Sequence, residues 1–320
     1  AFQEMDQDLA ELQDNIDQQI ISAVDSLNSQ LAQIAELNGQ IVAMEAGGTS
    51  ANSLRDERDL LLQEISEAIG IQYYEQDNGA VSVQLSSGIS LVLGTDASTL
   101  SAESSGGTVE LSVASGNSSV AIDSDDLGGE IKGLFTVRDE NIAEARNALD
   151  QLAYQFAESV NAVHGAGTDL NGNAGGDFFT VTTSSSPAWS GAASSIALAI
   201  SDADLVAAGT SSDTDALSGD NSNCLTMIAL QTEETMDGSS TFQDYYEQVA
   251  ADIGTEVSRN ENAIENAEDS LLQLKNMRDS IAGVSIDEEM VLLTRYQTGY
   301  EAAARFLSVV QDMLDTLMAM

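Results

Sequence analysis

Apolar residues recur every three or four positions along the first 45 residues, the spacing of one face of an α-helix. They are Phe2, Met5, Leu9, Leu12, Ile16, Ile20, Leu27, Leu31, Ile34, Leu37 and Ile41. Gly47 and Gly48 end this pattern, and Ser50 or Asn52 is predicted to cap a second helix that stops at Gly70. The chain therefore begins with two predicted amphipathic helices.

The hydrophobic period changes to two at Ile71, which is typical of β-strands. The segments IQYY, AVSVQL and ISLVL are separated by the turn residues Asp77-Asn78-Gly79 and Ser87-Gly88. Thr108–Val113 and Ser119–Ile122 indicate two further short strands between turns rich in Ser and Gly. These strands predict a β insertion after the second helix.

Helical spacing returns after Gly129 and ends at Gly165 or Gly167, which predicts a third long helix. The next fifty residues are rich in Gly, Ser, Thr and Asp, so we expect loops and short strands that pack with the first β segment. From residue 221 the pattern is helical again, in NCLTMIALQ, in Phe242 to Arg278 and in a terminal segment after Gly283.

The terminal segment has an apolar seam with steps of three and four and gaps at Gln297 and Gln311, close to a heptad repeat. An apolar helix has to be covered, and its second apolar flank exceeds what one partner helix would cover. We therefore predict an interface with another chain. Its residues are Ile286, Met290, Leu293, Tyr300, Ala304, Leu307 and Leu314.

These patterns predict a mainly α fold with a β insertion. Both ends of the chain would form an elongated helical-bundle rod, with an outer all-β domain inserted in the middle. The predicted divisions are 1–70 (helical rod domain, first part), 71–127 (β domain, first part), 128–165 (long helix of the rod domain), 166–220 (β and loop-rich outer domain, second part), 221–283 (helical rod domain, last part) and 284–320 (C-terminal axial assembly helix).

The composition is strongly acidic, with 53 acidic and 10 basic residues and a formal net charge of −43. Such a charge repels phosphate backbones and anionic lipids, which disfavours nucleic-acid and membrane-surface binding. No apolar run is long enough to predict a membrane span, and one cysteine excludes an internal disulfide. The chain starts without the basic and apolar regions of a signal peptide, so we expect no secretory signal peptide. Because it also starts without Met, we expect a fragment.

Candidate chemistry is sparse. His164 is the only histidine and lies near a predicted helix end, which favours a structural role over a catalytic one. Asp169, Asn171 and Asn173 have the spacing of a calcium loop, but Ala174 stands where that loop requires glycine. We find no phosphate-binding loop or nucleophile motif. The sequence therefore predicts neither an enzyme nor a cofactor or metal site.

The terminal segment GVSIDEEMVLLTRYQTGYEAAARFLSVVQDMLDTLM resembles the C-terminal signature of bacterial flagellar rod, hook and hook-associated proteins. Further segments narrow the resemblance to the flagellar hook-associated protein 1 family, and they appear in the family's order. They are DSLNSQLAQIAELNGQI with ANSLRDERDLLLQEIS, GGEIKGLFTVRD with VNAVHGAGTDLNGNAGGDFF, and SGDNSNCLTMIALQ with DYYEQVAADIG.

This resemblance implies a secreted structural protein of the extracellular flagellum, exported by the type III route and assembled as a ring between hook and filament. The implied partners are the hook protein, the second junction protein next to the filament, a cytoplasmic export chaperone at the C-terminal region and other copies of the chain. Neither nucleic-acid binding nor membrane insertion is implied. Family members begin with a further helical segment, so the resemblance also predicts that this chain lacks its N-terminal part.

Three alternatives stay open at this point. A hook or rod axial protein would share the C-terminal signature. A surface enzyme carried on the β domain would require acid and base groups that converge in a cleft. An acidic, calcium-dependent surface protein would be stabilised by calcium.

Overall fold

The computed structural model describes the chain except residues 106, 116–117, 185, 212–218, 283–285 and 319–320. The side chains of 105, 115, 118, 281–282, 286, 312 and 314–318 also lie outside the described part. The chain forms two compact units, Ala1–Val249 and Ala250–Met320.

The fold is mainly helical, with small antiparallel sheets in the middle of the chain, so the predicted class of a mainly α protein with a β insertion is confirmed. The helices are α1 (Phe2–Ala46), α2 (Asn52–Ile69), α3 (Gly129–Thr136), α4 (Ile142–Ala166), α5 (Ala192–Ser195), α6 (Ser222–Ala229), α7 (Phe242–Ala282) and α8 (Ile286–Met318). The strands are β1 (Ile71–Glu75), β2 (Val81–Leu85), β3 (Ser90–Leu93), β4 (Asp96–Ala97), β5 (Thr99–Ser105), β6 (Thr108–Ser115), β7 (Ser118–Ile122), β8 (Phe179–Thr180) and β9 (Ala197–Leu198).

In the described part of the chain, the strands form three antiparallel sheets in the order β1-β2-β3-β4, β5-β6-β7 and β8-β9. The strands expected from the alternating pattern are present. However, β5 was not predicted, because its sequence TLSAESS lacks a run of large apolar residues. Hydrogen bonds from α1 fix the position of β5. The Asn28 side chain donates to the carbonyl of Leu100 and accepts from its N–H, each at 2.8 Å.

One hydrophobic core joins helices and strands in the first unit. The buried face of α1 packs with α2, α3 and the start of α4, and with the inner faces of the first two sheets. The β segment therefore shares its core with the helices, and the prediction of a separate outer all-β domain is not confirmed. The largest fully buried apolar side chains of this core include Ile20, Leu27, Leu31, Ile34, Leu62, Ile65, Ile69, Leu85, Leu91 and Ile131.

Asn38 ties α1 to the first sheet. Its side-chain amide donates to the carbonyls of Val81 and Gly94 at 2.8 and 2.7 Å, and its carbonyl oxygen accepts from the Val81 N–H at 2.9 Å. The same oxygen accepts from the Arg58 guanidinium at 3.1 Å. Because Asn38 is fully buried, these bonds are made without competition from water.

Glycines allow the two ends of the β insertion to lie side by side, where the chain leaves α2 and enters α3. The Gly128 N–H donates to the Ile69 carbonyl at 2.8 Å, which brings the end of α2 beside the start of α3. Gly70 and Gly129 both have positive φ, and a Cβ on Gly129 would lie 2.3 Å from the Glu67 carbonyl oxygen. Only glycine accommodates both requirements at this contact.

The predicted third helix is present from Gly129 to Ala166, with a change of helix type inside it. α3 and α4 are joined by a π-helical stretch, Val137–Asn141. Its Arg138 is buried and pairs with the buried Asp17 of α1 and with its neighbour Asp139, and it donates to the carbonyl of Gly107. This arginine connects α1, the β5–β6 turn and the long helix. Short π-helical segments of this kind frequently occur at functional sites.

Two further expectations are corrected. Neither Ser50 nor Asn52 caps α2, because Ala51 is the N-cap and the Ser50 hydroxyl bonds the Asn52 side chain instead. The segment from residue 165 to 220 was expected to pack with the first β segment, but the main contacts of its described elements α5 and β8 are with α1 and α4. Small side chains allow this close packing, since Ala192 and Ala193 of α5 are fully buried against Ala153 of α4.

We predict that Asn38→Ala lowers the free energy of unfolding by about 3 kcal/mol, because it leaves several buried polar groups without partners. Urea denaturation of both proteins measures the difference. Gln40→Ala is the control, since Gln40 is exposed on the same helix and should change stability by less than about 0.5 kcal/mol. Equal effects of the two substitutions would contradict the role assigned to Asn38.

Candidate assembly interface

The predicted interface residues of α8 that the structure describes are exposed. Met290, Leu293, Tyr300 and Leu307 have 63%, 58%, 79% and 66% of their surface accessible, and Ala304 is exposed as well. The side chains of Ile286 and Leu314 lie outside the described part of the structure. Fully burying a large apolar side chain contributes about 1.5–3 kcal/mol, so this surface favours contact with a partner.

Exposed apolar side chains are not limited to the predicted seam. The helix also exposes Val291, Tyr296, Phe306, Val309 and Met313. A single partner helix covers one stripe of a helix, whereas these residues lie on several sides. The surface is therefore suited to contacts with more than one neighbouring helix.

A second exposed apolar stripe, which was not predicted from the sequence, lies on the part of α7 within the second unit. Ile253, Val257, Ile264, Leu271 and Leu274 are all about half exposed or more, and they share heptad positions on one face. The many polar residues between them make this repeat difficult to recognise in the sequence. The heptad spacing itself was the signal that could have revealed it.

His164 has a structural role in the last turn of α4. It is fully buried, its Nε2 accepts from the Ala207 N–H at 2.9 Å, and its Nδ1 lies 2.6 Å from the Gly176 carbonyl oxygen. Because Nε2 accepts, Nδ1 carries the proton and donates to Gly176. Both ring nitrogens thus hold loops beside α4.

The loop that resembles a calcium site is a turn built on Asp169. One carboxylate oxygen of Asp169 accepts from the N–H groups of Asn171 and Asn173 at 2.9 and 2.8 Å. The hydrogen bond from the Asn173 backbone lowers the pKa of Asp169 most. The carboxylate therefore stabilises its own turn. Among the described residues, no group of three or more His, Cys, Asp or Glu is arranged to hold a metal ion.

The SGDNSN segment also has a structural role. Asp220 accepts from the N–H groups of Thr210, Ser211 and Ser222 at 2.8, 3.0 and 3.0 Å. Hydrogen bonds from the Ser222 side chain, and then from these N–H groups, hold the pKa of Asp220 well below its ordinary value. Asn223 donates to the carbonyls of Val163 and Ala207, which fixes α6 against α4.

The described part of the chain contains no helix that combines the length and apolarity needed to cross a membrane. The exposed apolar surface of α7 and α8 is interrupted by charged residues, such as Arg259, Arg295 and Glu301. This surface therefore has the character of a protein-binding surface.

Comparison with known families identifies the chain. The family model described as "Flagellar hook-associated protein FlgK helical domain" matches residues 1–179, more than half of the sequence. The chain belongs to the flagellar hook-associated protein FlgK family. A second model, "Flagellar basal body rod FlgEFG protein C-terminal", matches residues 279–320, which includes α8. Both parts of the resemblance found in the sequence are thus confirmed.

Curated relatives cover nearly the whole chain. Flagellar hook-associated protein 1 of Escherichia coli (strain K12) is 28% identical over 402 aligned residues, which cover 99% of this chain and 73% of the relative. The Bacillus subtilis (strain 168) protein of the same name is 28% identical over 343 residues, covering 98% and 68%. Both alignments are longer than the 320 residues of the chain, so the relatives carry additional residues within the aligned region.

A solved structure shows the same fold. The flagellar hook junction protein FlgK from Burkholderia pseudomallei superposes with a TM-score of 0.57 at 23% identity, over 65% of this chain. The chain spans about half of that solved chain, 53% of its length.

As a member of the FlgK family, the chain is a structural component of the bacterial flagellum, which is an extracellular assembly. The family segments quoted above contain several structural contacts. Asn38 and Arg58 lie in the α1 and α2 segments, Arg138 and His164 in the α3–α4 segment, and Asn223 in the α6 segment. These contacts give the family segments a role in folding.

We predict that Asp220→Asn destabilises the first unit at neutral pH and that this difference shrinks on acidification. Because the pKa of Asp220 is lower in the folded state, its carboxylate stabilises the fold above the unfolded pKa of about 3.9 and loses this effect as pH falls below it. Urea midpoints measured from about pH 7 down to about pH 3 test the prediction.

Asp8→Asn is the matched control, because Asp8 is exposed on α1. It should cause no loss of stability at neutral pH. A difference between Asp220→Asn and the wild type that stays constant as pH falls would contradict the role of the Asp220 charge.

Proposed function

We propose that this protein joins the flagellar hook to the filament by assembling into a ring through its terminal helices. The observation that carries the proposal is the family match over residues 1–179 together with the exposed apolar surface of α8. The proposed interface comprises Ile286, Met290, Leu293, Tyr300, Ala304, Leu307 and Leu314. Its partners are the hook protein on one side, the second junction protein next to the filament on the other, and neighbouring copies of the chain.

Burial of apolar surface drives the proposed assembly. Met290, Leu293, Tyr300 and Leu307 would each contribute about 1.5–3 kcal/mol on full burial, and the loss of translational and rotational freedom opposes this gain. Charge opposes assembly, since each copy carries a formal net charge of −43. Hydrophobic contacts therefore supply the affinity between copies. The charged residues restrict which surfaces of two copies can come together.

We further propose how the chain is divided for this task. Residues 1–70, 128–165 and 221–283 would form a helical-bundle rod domain, and 284–320 the axial assembly helix. Residues 71–127 and 166–220 would lie on the outside of the assembly. Support comes from the apolar faces of the long helices α1 and α4, which pack against each other.

An export chaperone fits the same surface. Before assembly, the apolar residues of α8 would be exposed in the cytoplasm, where such surfaces promote aggregation. We propose that a cytoplasmic chaperone covers the C-terminal region until type III export. An amphipathic helix in an apolar groove is a common mode for such binding.

The second candidate is a hook or rod axial protein, and the match of residues 279–320 to a rod-protein family model favours it. The match over residues 1–179 favours the junction instead. Immunogold labelling of the full-length protein distinguishes them: label confined to the hook–filament boundary supports our proposal, and label along the hook or within the rod overturns it.

We predict that Tyr300→Glu abolishes motility in a strain whose own copy of the gene is deleted, because a charge in the seam cannot be buried. Hooks should form, and filament subunits should appear in the medium. Thr298→Glu is the matched control. It adds the same charge to the same helix outside the predicted seam: two residues correspond to about 200° of rotation, and the exposed Arg305, seven residues further along, already places a charge on that stripe.

The two variants should have the same urea midpoint for the first unit, since α8 belongs to the second. Motility retained by Tyr300→Glu, or lost equally in both variants, would contradict the assigned seam.

A further inference from the structure

The first unit contains an extreme excess of negative charge. Residues 1–249 include 40 of the 53 acidic residues and five of the ten basic ones. α1 has 45 residues and contains neither lysine nor arginine. Folding concentrates these like charges in a compact volume, and their mutual repulsion destabilises the compact state.

All five basic residues of this unit already form ion pairs. Three arginines pair with carboxylates of α1: Arg55 with Glu45, Arg138 with Asp17 and Arg146 with Asp6. Arg55 and Arg58 also pair with Glu75, and Lys132 pairs with Asp125. Each cation is thus used to connect elements of the fold. The remaining carboxylates of the unit have no spare basic side chain in the unit to balance them.

Exposed carboxylates face one another along α1. Asp8, Glu11 and Asp14 are all exposed and follow at steps of three, which places them as neighbours on the helix surface. Like charges at this spacing destabilise a helix, whereas opposite charges stabilise it.

The second sheet contains a like-charge pair as well. Glu103 of β5 lies directly opposite Glu110 of β6, and both residues are exposed. Like charges in directly opposed positions destabilise an antiparallel pair.

We propose that the fold of the first unit is stabilised by dissolved salt. The physical reason is that salt screens the two kinds of interaction unequally. Repulsion between exposed carboxylates is reduced strongly, because these charges lie in water. The attraction between Asp17 and Arg138 is retained, because both side chains are buried. Raising the salt concentration therefore removes repulsion and keeps the ion pair that joins α1 to the long helix.

The first test is a series of urea denaturation curves of the whole chain in NaCl. The fluorescence of Trp189, the single tryptophan, reports on the first unit. Urea is uncharged and leaves the ionic strength unchanged. The urea midpoint should rise with NaCl, most steeply between about 0.01 and 0.1 M, where the screening length falls from about 30 to about 10 Å. A midpoint that is constant or falls in this range overturns the proposal.

The second test uses the Glu103–Glu110 pair. Glu110→Lys replaces repulsion by attraction, so it should raise the midpoint at low salt, and this gain should shrink as NaCl increases. Glu110→Gln is the matched control, which removes the repulsion only and should give a smaller gain with a weaker salt dependence. If both variants match the wild type at low salt, local repulsion does not limit stability and the proposal fails.

A third measurement separates screening from binding of a specific cation. NaCl, KCl and MgCl₂ are compared at equal ionic strength. Equal midpoints support screening, which depends on ionic strength. A midpoint that rises with millimolar Mg²⁺ and not with NaCl of the same ionic strength indicates a cation site and overturns screening as the cause.

Discussion

The apolar face of α1 has to be covered along a helix of about 65 Å, and most of the first unit is organised around this requirement. Within the first unit, α2, α3, α4 and two sheets each cover a part of this face. Because the strands bury their side chains against the same helix, they belong to its core. The β segment is therefore an integral covering layer of α1.

Polar contacts decide where each covering element sits. Hydrophobic burial is non-directional and tolerates sliding, whereas a buried hydrogen bond or ion pair does not. Asn38 and Asn28 of α1 position one sheet each, and Asp17 holds the π stretch between α3 and α4 through Arg138. In an acidic chain with ten basic residues, these arginines are scarce, and the fold uses them for connections between elements.

The two units suit different tasks in a flagellar hook-associated protein. The first unit buries many of its large apolar residues in a core of its own, shared by helices and strands. The helices of the second unit leave comparable residues exposed, and those residues gain their stabilisation from a partner. The acidity of the chain opposes association between copies, because contacts between them have to overcome repulsion between like charges.

The sequence by itself determined the long helices, most strands, the apolar seam of α8 and the family, because these depend on local periodicity and on contiguous motifs. The strand β5, with three serines among its seven residues, and the shared core of helices and strands became visible only in the tertiary structure, whereas the heptad spacing of α7 was present in the sequence and was not used for a prediction. Asn28 bonds a residue 72 positions away, and Arg138 pairs with Asp17 across 121 positions. His164 bonds Ala207, 43 positions away. Local spacing carries no information about such partners, since the fold of the intervening chain brings them together.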